Sequence, residues 1–107
     1  NKKQVEDKTR RSGAILGIDA AAGDAPPKKV GEYNSAKITL YRSRITHELN
    51  GKTAVRTSTD SADWKRALKK SNHADHKAFG TQKGRLVLLD NGDAPIWVKN
   101  LKARVLR

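Results

Sequence analysis

Residues 37–58, KITLYRSRITHELNGKTAVRTS, decide the fold. Ile, Thr, Val and Tyr, which suit a pleated and half-buried surface, dominate on both sides of Asn50-Gly51. Asn-Gly tolerates positive φ at both positions, as the two-residue turn that matches right-handed strand twist requires. The stretch therefore predicts a β-hairpin with strands over 37–49 and 52–58. One detail resists this reading. Side chains alternate along a strand, so Ile38 and Leu40 share one face while Ile45 and Leu49 fall on the other. A bulge or a strong twist near Arg42 to Arg44 would reconcile them.

Downstream the period changes. Thr59, Asp60 and Ser61 offer N-cap oxygens, Asp63 complements the positive end of a helix dipole, and Gly80 supplies a stop, which together predict a helix over 62–79. At about 100° per residue, Trp64, Ala67, Leu68, Ser71, Ala78 and Phe79 form one stripe, with Asp75 intruding on it. Lys65, Arg66, Lys69, Lys70, His73, His76 and Lys77 fan across the opposite side.

A second hairpin is expected to close the chain. GRLVLLD runs into Asn91-Gly92, APIWV follows with Pro95 where a missing N–H is tolerated, and the alternation of Leu101, Ala103 and Val105 extends the last strand. Trp64 and Trp97 are both expected in the core. Upstream, residues 1–36 look like an extended arm: their apolar cluster is Ile15, Leu16 and Ile18, and AAAGDAPPKK suits a linker. The reading is an α+β chain: an arm over 1–36, then a small ββαββ domain over 37–107 with one antiparallel sheet and one amphipathic helix packed on it.

Charge dominates the composition. Across 107 residues, 23 Lys and Arg face 11 Asp and Glu, giving +12 and a pI near 10.3. Residues 1–36 carry seven bases and five acids, and residues 37–107 carry sixteen and six, so the basicity belongs to the part expected to fold. An excess of this size attracts polyanions, of which nucleic acid is the commonest. Lys65/Lys69 and Arg66/Lys70 are i,i+4 pairs of like charge that repel unless a bound polyanion converts the repulsion into attraction.

The sequence thus predicts a non-enzymatic nucleic-acid-binding protein. Lys65, Arg66, Lys69, Lys70 and Lys77 contact phosphates, helped by Arg42, Arg44, Arg56, Lys102 and Arg104, with little sequence preference. The alternative is a structural component of a large assembly, a virion or ribosome-like particle, anchored through residues 1–36. The partner is then DNA or RNA, with neighbouring proteins in such an assembly.

Other chemistries find little support. The chain has no Cys, which excludes disulfides, thiolate zinc sites and thiol nucleophiles. His73 and His76 lack companions for a metal shell, so neither a metal nor a cofactor is expected. THELNGKT, residues 46–53, ends like a phosphate-binding loop, but Thr46 stands where that loop needs Gly. No arrangement of acids, Ser and His marks a catalytic site. The longest apolar run, LVLL, falls far short of the roughly 20 residues that cross a bilayer, and no signal peptide is expected at NKKQVEDKTRR. A cytoplasmic or particle-bound location is the expectation.

Overall fold

A computed structural model describes residues 8–22, 24–76, 79–80, 83–89, 92 and 95–106. Its centre is a three-stranded antiparallel meander: β1 (Ala36–Tyr41), β2 (Arg44–Leu49) and β3 (Lys52–Ser58), in that spatial order. One helix, α1 (Ala62–Lys69), follows, and a single 3-10 turn lies at Lys8–Arg10. The chain is a small α+β fold.

The parity conflict in residues 37–49 is resolved by a turn rather than a bulge. Arg42 and Ser43 form a tight connection, with Tyr41 opposite Arg44, so the expected single strand is two strands. Arg42 adopts φ 55°, the left-handed region that such a turn needs. The reversal makes Leu40 face Ile45, Ile38 face His47 and Ala36 face Leu49. Ile38, Leu40, Ile45 and Leu49 therefore share one side of the sheet. The other side is polar, with Lys37, Thr39, Tyr41, Arg44, Thr46, Glu48, Thr53, Arg56 and Ser58; Lys37 and Glu48, directly opposite, form an ion pair at 3.8 Å.

The second turn is as expected. Asn50 and Gly51 both have positive φ, 52° and 82°. Asn50 Oδ1 also accepts from the Ser35 N–H at 2.8 Å, and its Nδ2 donates to Asn34 Oδ1, tying this turn to the lead-in of β1.

A bulge does occur, between β2 and β3. His47 pairs with Val55 and Glu48 with Thr53, leaving Ala54 as the extra residue. Ala54 and Val55 are consequently both buried although adjacent. The carbonyl of Ala54 accepts from the Ala22 N–H at 2.8 Å, so the upstream segment completes the hydrogen bonding at the bulge. Part of the upstream segment, expected to lie outside the core, contributes to it. Ala21 and Ala25 pack with Leu49 and Ala54, and Ile18 is buried as well. A tight turn joins Ile15 to Asp19 through reciprocal backbone hydrogen bonds.

The helix is shorter than its apolar stripe. Ser61 caps it, accepting from the Trp64 N–H at 3.1 Å, and it ends at Lys69 rather than near Phe79. Ser71 stops it: the hydroxyl donates to the Leu68 carbonyl at 2.8 Å and accepts from the His73 N–H, offering the backbone local bonds in place of the helical ladder. Three-residue turns follow, with Ala74 N–H on Ser71 O, His76 N–H on His73 O and Phe79 N–H on His76 O. They return Phe79 to Trp64, with ring centroids 6.4 Å apart and planes within 15°.

The expected second hairpin is not formed among the described residues. Residues 83–89 and 95–106 run without ladder partners, and Trp97 is 78% exposed rather than in the core. Leu86, Val87, Leu88, Leu89, Ile96 and Val98 are exposed too. An isolated pair of strands has little stability of its own in water and needs a third strand or a helix against it. Asn91 of its expected turn lies outside the described residues.

Candidate functional site

Four cations cluster on α1. Lys65, Arg66, Lys69 and Lys70 are exposed on the side away from buried Trp64, and 65/69 and 66/70 are neighbours one turn apart. Asp63 partly offsets them through an ion pair with Arg66 at 3.3 Å, an exposed contact of small energy. Lys77 lies outside the described residues. With the helix ending at Lys69, this basic side spans two turns.

The remaining predicted cations lie elsewhere. Arg44 and Arg56 stand on the polar side of the sheet, opposite Ser58 and Thr46 respectively. They are diagonal neighbours, a placement in which side chains are roughly 7–8 Å apart. Arg42 sits at the β1–β2 turn with its guanidinium 5.3 Å from the centre of the Tyr41 ring. Lys102 and Arg104 are exposed in the extended C-terminal segment.

Two of the hollows on the surface are lined by described residues. The first, about 170 Å³, is lined by Ile18, Asp19, Thr57, Asp63, Trp64 and Ala67. It lies where the upstream segment meets α1 and the end of β3. The Ile15–Asp19 turn presents Asp19, the first turn of α1 presents Asp63, and β3 supplies Thr57. Trp64 forms a fixed wall: it is 4% exposed, stacks on Phe79, and has Gly80 pressed against its ring. Asp19, Asp63, Thr57 and Trp64 in the lining are residue types that suit a polyhydroxylated ring, since carboxylates accept hydroxyl protons and apolar walls cover C–H groups.

The second hollow, about 360 Å³, lies at the β1–β2 turn. Leu40, Arg42, Ser43, Arg44, Ile45, Thr59, Gly80 and Lys83 line it. Arg42 and Arg44 are thus brought together with Lys83, which composition did not single out, while the α1 cations line neither hollow.

His47 also escaped the sequence reading. Its Nδ1 lies 2.8 Å from the Gly13 carbonyl oxygen, a contact 34 residues long in sequence. The parity of β2 after the Arg42-Ser43 turn, which places His47 on the apolar side, is the signal that would have found it. His73 lies flat on Phe79, centroids 4.2 Å apart, and His76 is tilted at 6.2 Å. Among the described residues no group of three or more His, Asp and Glu side chains is placed to hold a metal, and no helix is long and apolar enough to cross a membrane.

No curated protein matches the chain. A family model does, over residues 1–104: that of the 3-keto-alpha-glucoside-1,2-lyase-like domain. The match takes in the upstream segment, the meander, α1 and the extended C-terminal residues together, and the chain belongs to this 3-keto-alpha-glucoside-1,2-lyase-like domain family.

Proposed function

We propose that this chain acts on a 3-keto-glucoside, holding its ring in the hollow between Asp19 and Asp63. The observation that carries this reading is the family match across residues 1–104. It runs against the expectation of a non-enzymatic protein. The hollow supports it through its chemistry and its size, which is below the roughly 300–1,000 Å³ of pockets for larger ligands and suits a single ring.

A 1,2-lyase breaks the C1–O bond by elimination. A ketone at C3 acidifies the C2 hydrogen, so a base removes that proton, the electron pair forms a C1–C2 double bond, and the aglycone leaves with the C1–O electrons and takes up a proton. Asp19 is the base in this proposal: it is half-buried and lines the hollow, within the lining that would surround a bound ring. Asp63, exposed and paired with Arg66, accepts hydroxyl protons of the ring. The test incubates the protein with a 3-keto-α-glucoside and follows release of the aglycone. Asp19→Asn is expected to abolish release while leaving binding, followed by amide shifts at Thr57 and Ala67, within about threefold. Absence of both binding and release sinks the reading.

A second reading rests on a different observation, the four exposed α1 cations with Asp63 their one acidic neighbour in an ion pair among the described residues. In it, Lys65, Arg66, Lys69 and Lys70 contact nucleic-acid phosphates. Such binding falls steeply between about 50 and 200 mM salt when several phosphates are neutralised; a flat response in a titration with labelled DNA and RNA rejects it.

The two further strands that the ββαββ expectation places after the helix belong with these proposals, here following a meander of three strands rather than a hairpin of two. Residues 85–89 and 95–105 pair as strands and join the free edge of β1. Supporting this, Lys99 Nζ lies 4.1 Å from the centre of the Tyr33 ring, just upstream of β1, and Asn100 adopts φ 55°. A left-handed residue at 100 acts as a bulge, which puts Ile96 and Val98 in phase with Leu101, Ala103 and Val105.

A further inference from the structure

The polar side of the sheet carries a charge pattern that the ketoglucoside reading leaves unused. The register stacks three rows there: Lys37, Glu48 and Thr53; then Thr39, Thr46 and Arg56; then Tyr41, Arg44 and Ser58. In the first row Lys37 and Glu48 offset each other at 3.8 Å. The other two rows hold no acid. Arg44 and Arg56 are exposed there as diagonal neighbours, with no ion pair among the described residues. Arg42 borders the same side, because its guanidinium lies 5.3 Å from the centre of the Tyr41 ring, and the register places Tyr41 with Arg44. We infer that this side of the sheet binds an acidic oligosaccharide, one whose sugar rings carry carboxylates.

The surroundings of the arginines choose among anions. A guanidinium presents paired N–H groups that fit the two oxygens of a carboxylate. Two such side chains roughly 7–8 Å apart suit two carboxylates borne on one chain. Thr39 and Thr46 stand opposite one another in the row of Arg56, and their hydroxyls engage no partner among the described residues. A hydroxyl both donates to and accepts from a sugar hydroxyl.

Other polyanions fit less well. A single-stranded nucleic acid would stack its bases on the aromatic ring, but Arg42 already lies over one face of Tyr41. An acidic peptide laid across a sheet face finds no ladder for its backbone N–H and C=O groups, which pair along a strand edge instead. A sugar chain has no such requirement.

The test titrates oligogalacturonate into the full chain and follows backbone amide shifts. A neutral malto-oligosaccharide, and polyglutamate and oligothymidylate of matched charge, serve as comparisons. Saturable shifts are expected at Thr39, Tyr41, Arg44, Thr46 and Arg56 with oligogalacturonate, none with the neutral sugar, and weaker binding of the other two polyanions. The double variant Arg44→Gln, Arg56→Gln is expected to weaken binding by about tenfold or more, equivalent to 1.4 kcal/mol. Both residues are exposed, so the fold survives the change. Lys52→Gln removes a charge from the same sheet on its other side, opposite Leu49, and is expected to bind as tightly as the parent. So is the α1 variant Lys65→Gln, Lys69→Gln. The proposal is overturned by no saturable response to oligogalacturonate, an equal response to the neutral sugar, or tighter binding of polyglutamate or oligothymidylate. Shifts centred on residues 65–70, or as large a loss in Lys52→Gln as in the arginine variant, overturn it too. Failure to bind or cleave a ketoglucoside leaves it standing, since Thr57 of that hollow is on the opposite side of the sheet.

Discussion

His47 in the central strand reaches back 34 residues, placing Nδ1 2.8 Å from the Gly13 carbonyl oxygen. A carbonyl only accepts, so Nδ1 carries the proton. The contact fastens the upstream segment to the apolar side of the sheet beside the Ala22 to Ala54 backbone bond. His47→Phe keeps the ring and loses the donor, leaving the Gly13 carbonyl without this partner. The expected cost is about 1–3 kcal/mol, read from urea unfolding. Nitrogen-15 spectra of the ring are expected to show the proton on Nδ1; a spectrum showing it on Nε2 alone removes the basis for this prediction.

Gly13 carries a second constraint. Its φ is +88°, and a Cβ added there would lie 2.9 Å from the Ala54 Cβ, whereas Gly17, at φ +76°, has nothing within 4 Å of that position. Gly17→Ala is therefore expected to cost only the left-handed backbone penalty, about 1–2 kcal/mol. Gly13→Ala adds overpacking of about 1–3 kcal/mol, because Ala54 is buried at the bulge and has little room to retreat. Denaturant midpoints for the two variants separate the terms; equal losses would mean that the upstream segment does not press on Ala54.

The two hairpin turns respond differently to substitution. Asn50→Ala keeps a left-handed φ without the amide and loses two side-chain bonds, to Ser35 and Asn34. A loss of about 2–3 kcal/mol is expected. Arg42→Gly relieves about 1–2 kcal/mol of backbone cost. It gives back about 0.5–1 kcal/mol through the freer unfolded chain and a similar amount from the contact with Tyr41. Near-neutral stability follows, and thermal unfolding of the pair shows whether the contrast holds.

How much of this was legible follows from where each signal lies. Asn50-Gly51 reads directly because its chemistry is local, and the alternation on each side of it fixes the faces. The Arg42-Ser43 turn was present in the sequence as a parity conflict, yet Arg at the left-handed position is not a turn signal and Ser alone is a weak one, so a bulge or twist seemed the simpler cure. The real bulge, at Ala54, leaves no such mark, because alanine suits either face. The stripe put Trp64 and Phe79 on one apolar side, yet on a continuous helix they would stand about 22 Å apart; periodicity cannot weigh Ser71, whose hydroxyl competes for the Leu68 carbonyl and lets the chain turn back. Ala21, Ala25 and Gly13 escaped notice for another reason: small residues in a Gly-Ala-Pro stretch look like linker until a facing bulge offers them a surface. Of the site, the α1 cations were readable as a helix face. That Arg42, Arg44 and Lys83 all line one hollow was not, since it depends on a chain reversal 40 residues before Lys83.

Asn100 tests the strand pairing proposed for the C-terminal segment. Ile96 and Val98 are out of step with Leu101, Ala103 and Val105 in an unbroken strand, and one left-handed residue between them restores a common apolar side. If residues 95–105 pair along β1, amides on both sides of Asn100 are expected to exchange slowly with solvent, together with amides on the outer edge of β1. Asn100→Gly, free at positive φ, is expected to preserve that protection. Asn100→Val, β-branched and poorly suited to φ 55°, is expected to weaken it by about 1–2 kcal/mol, roughly tenfold faster exchange. The apolar side chains of 86–89, now exposed, are expected to gain protection with it, because the hairpin forms as a unit. Exchange at the rate of an unstructured chain throughout 95–105 would show that the C-terminal segment does not pair along β1, and the two further strands after α1 would then be wrong.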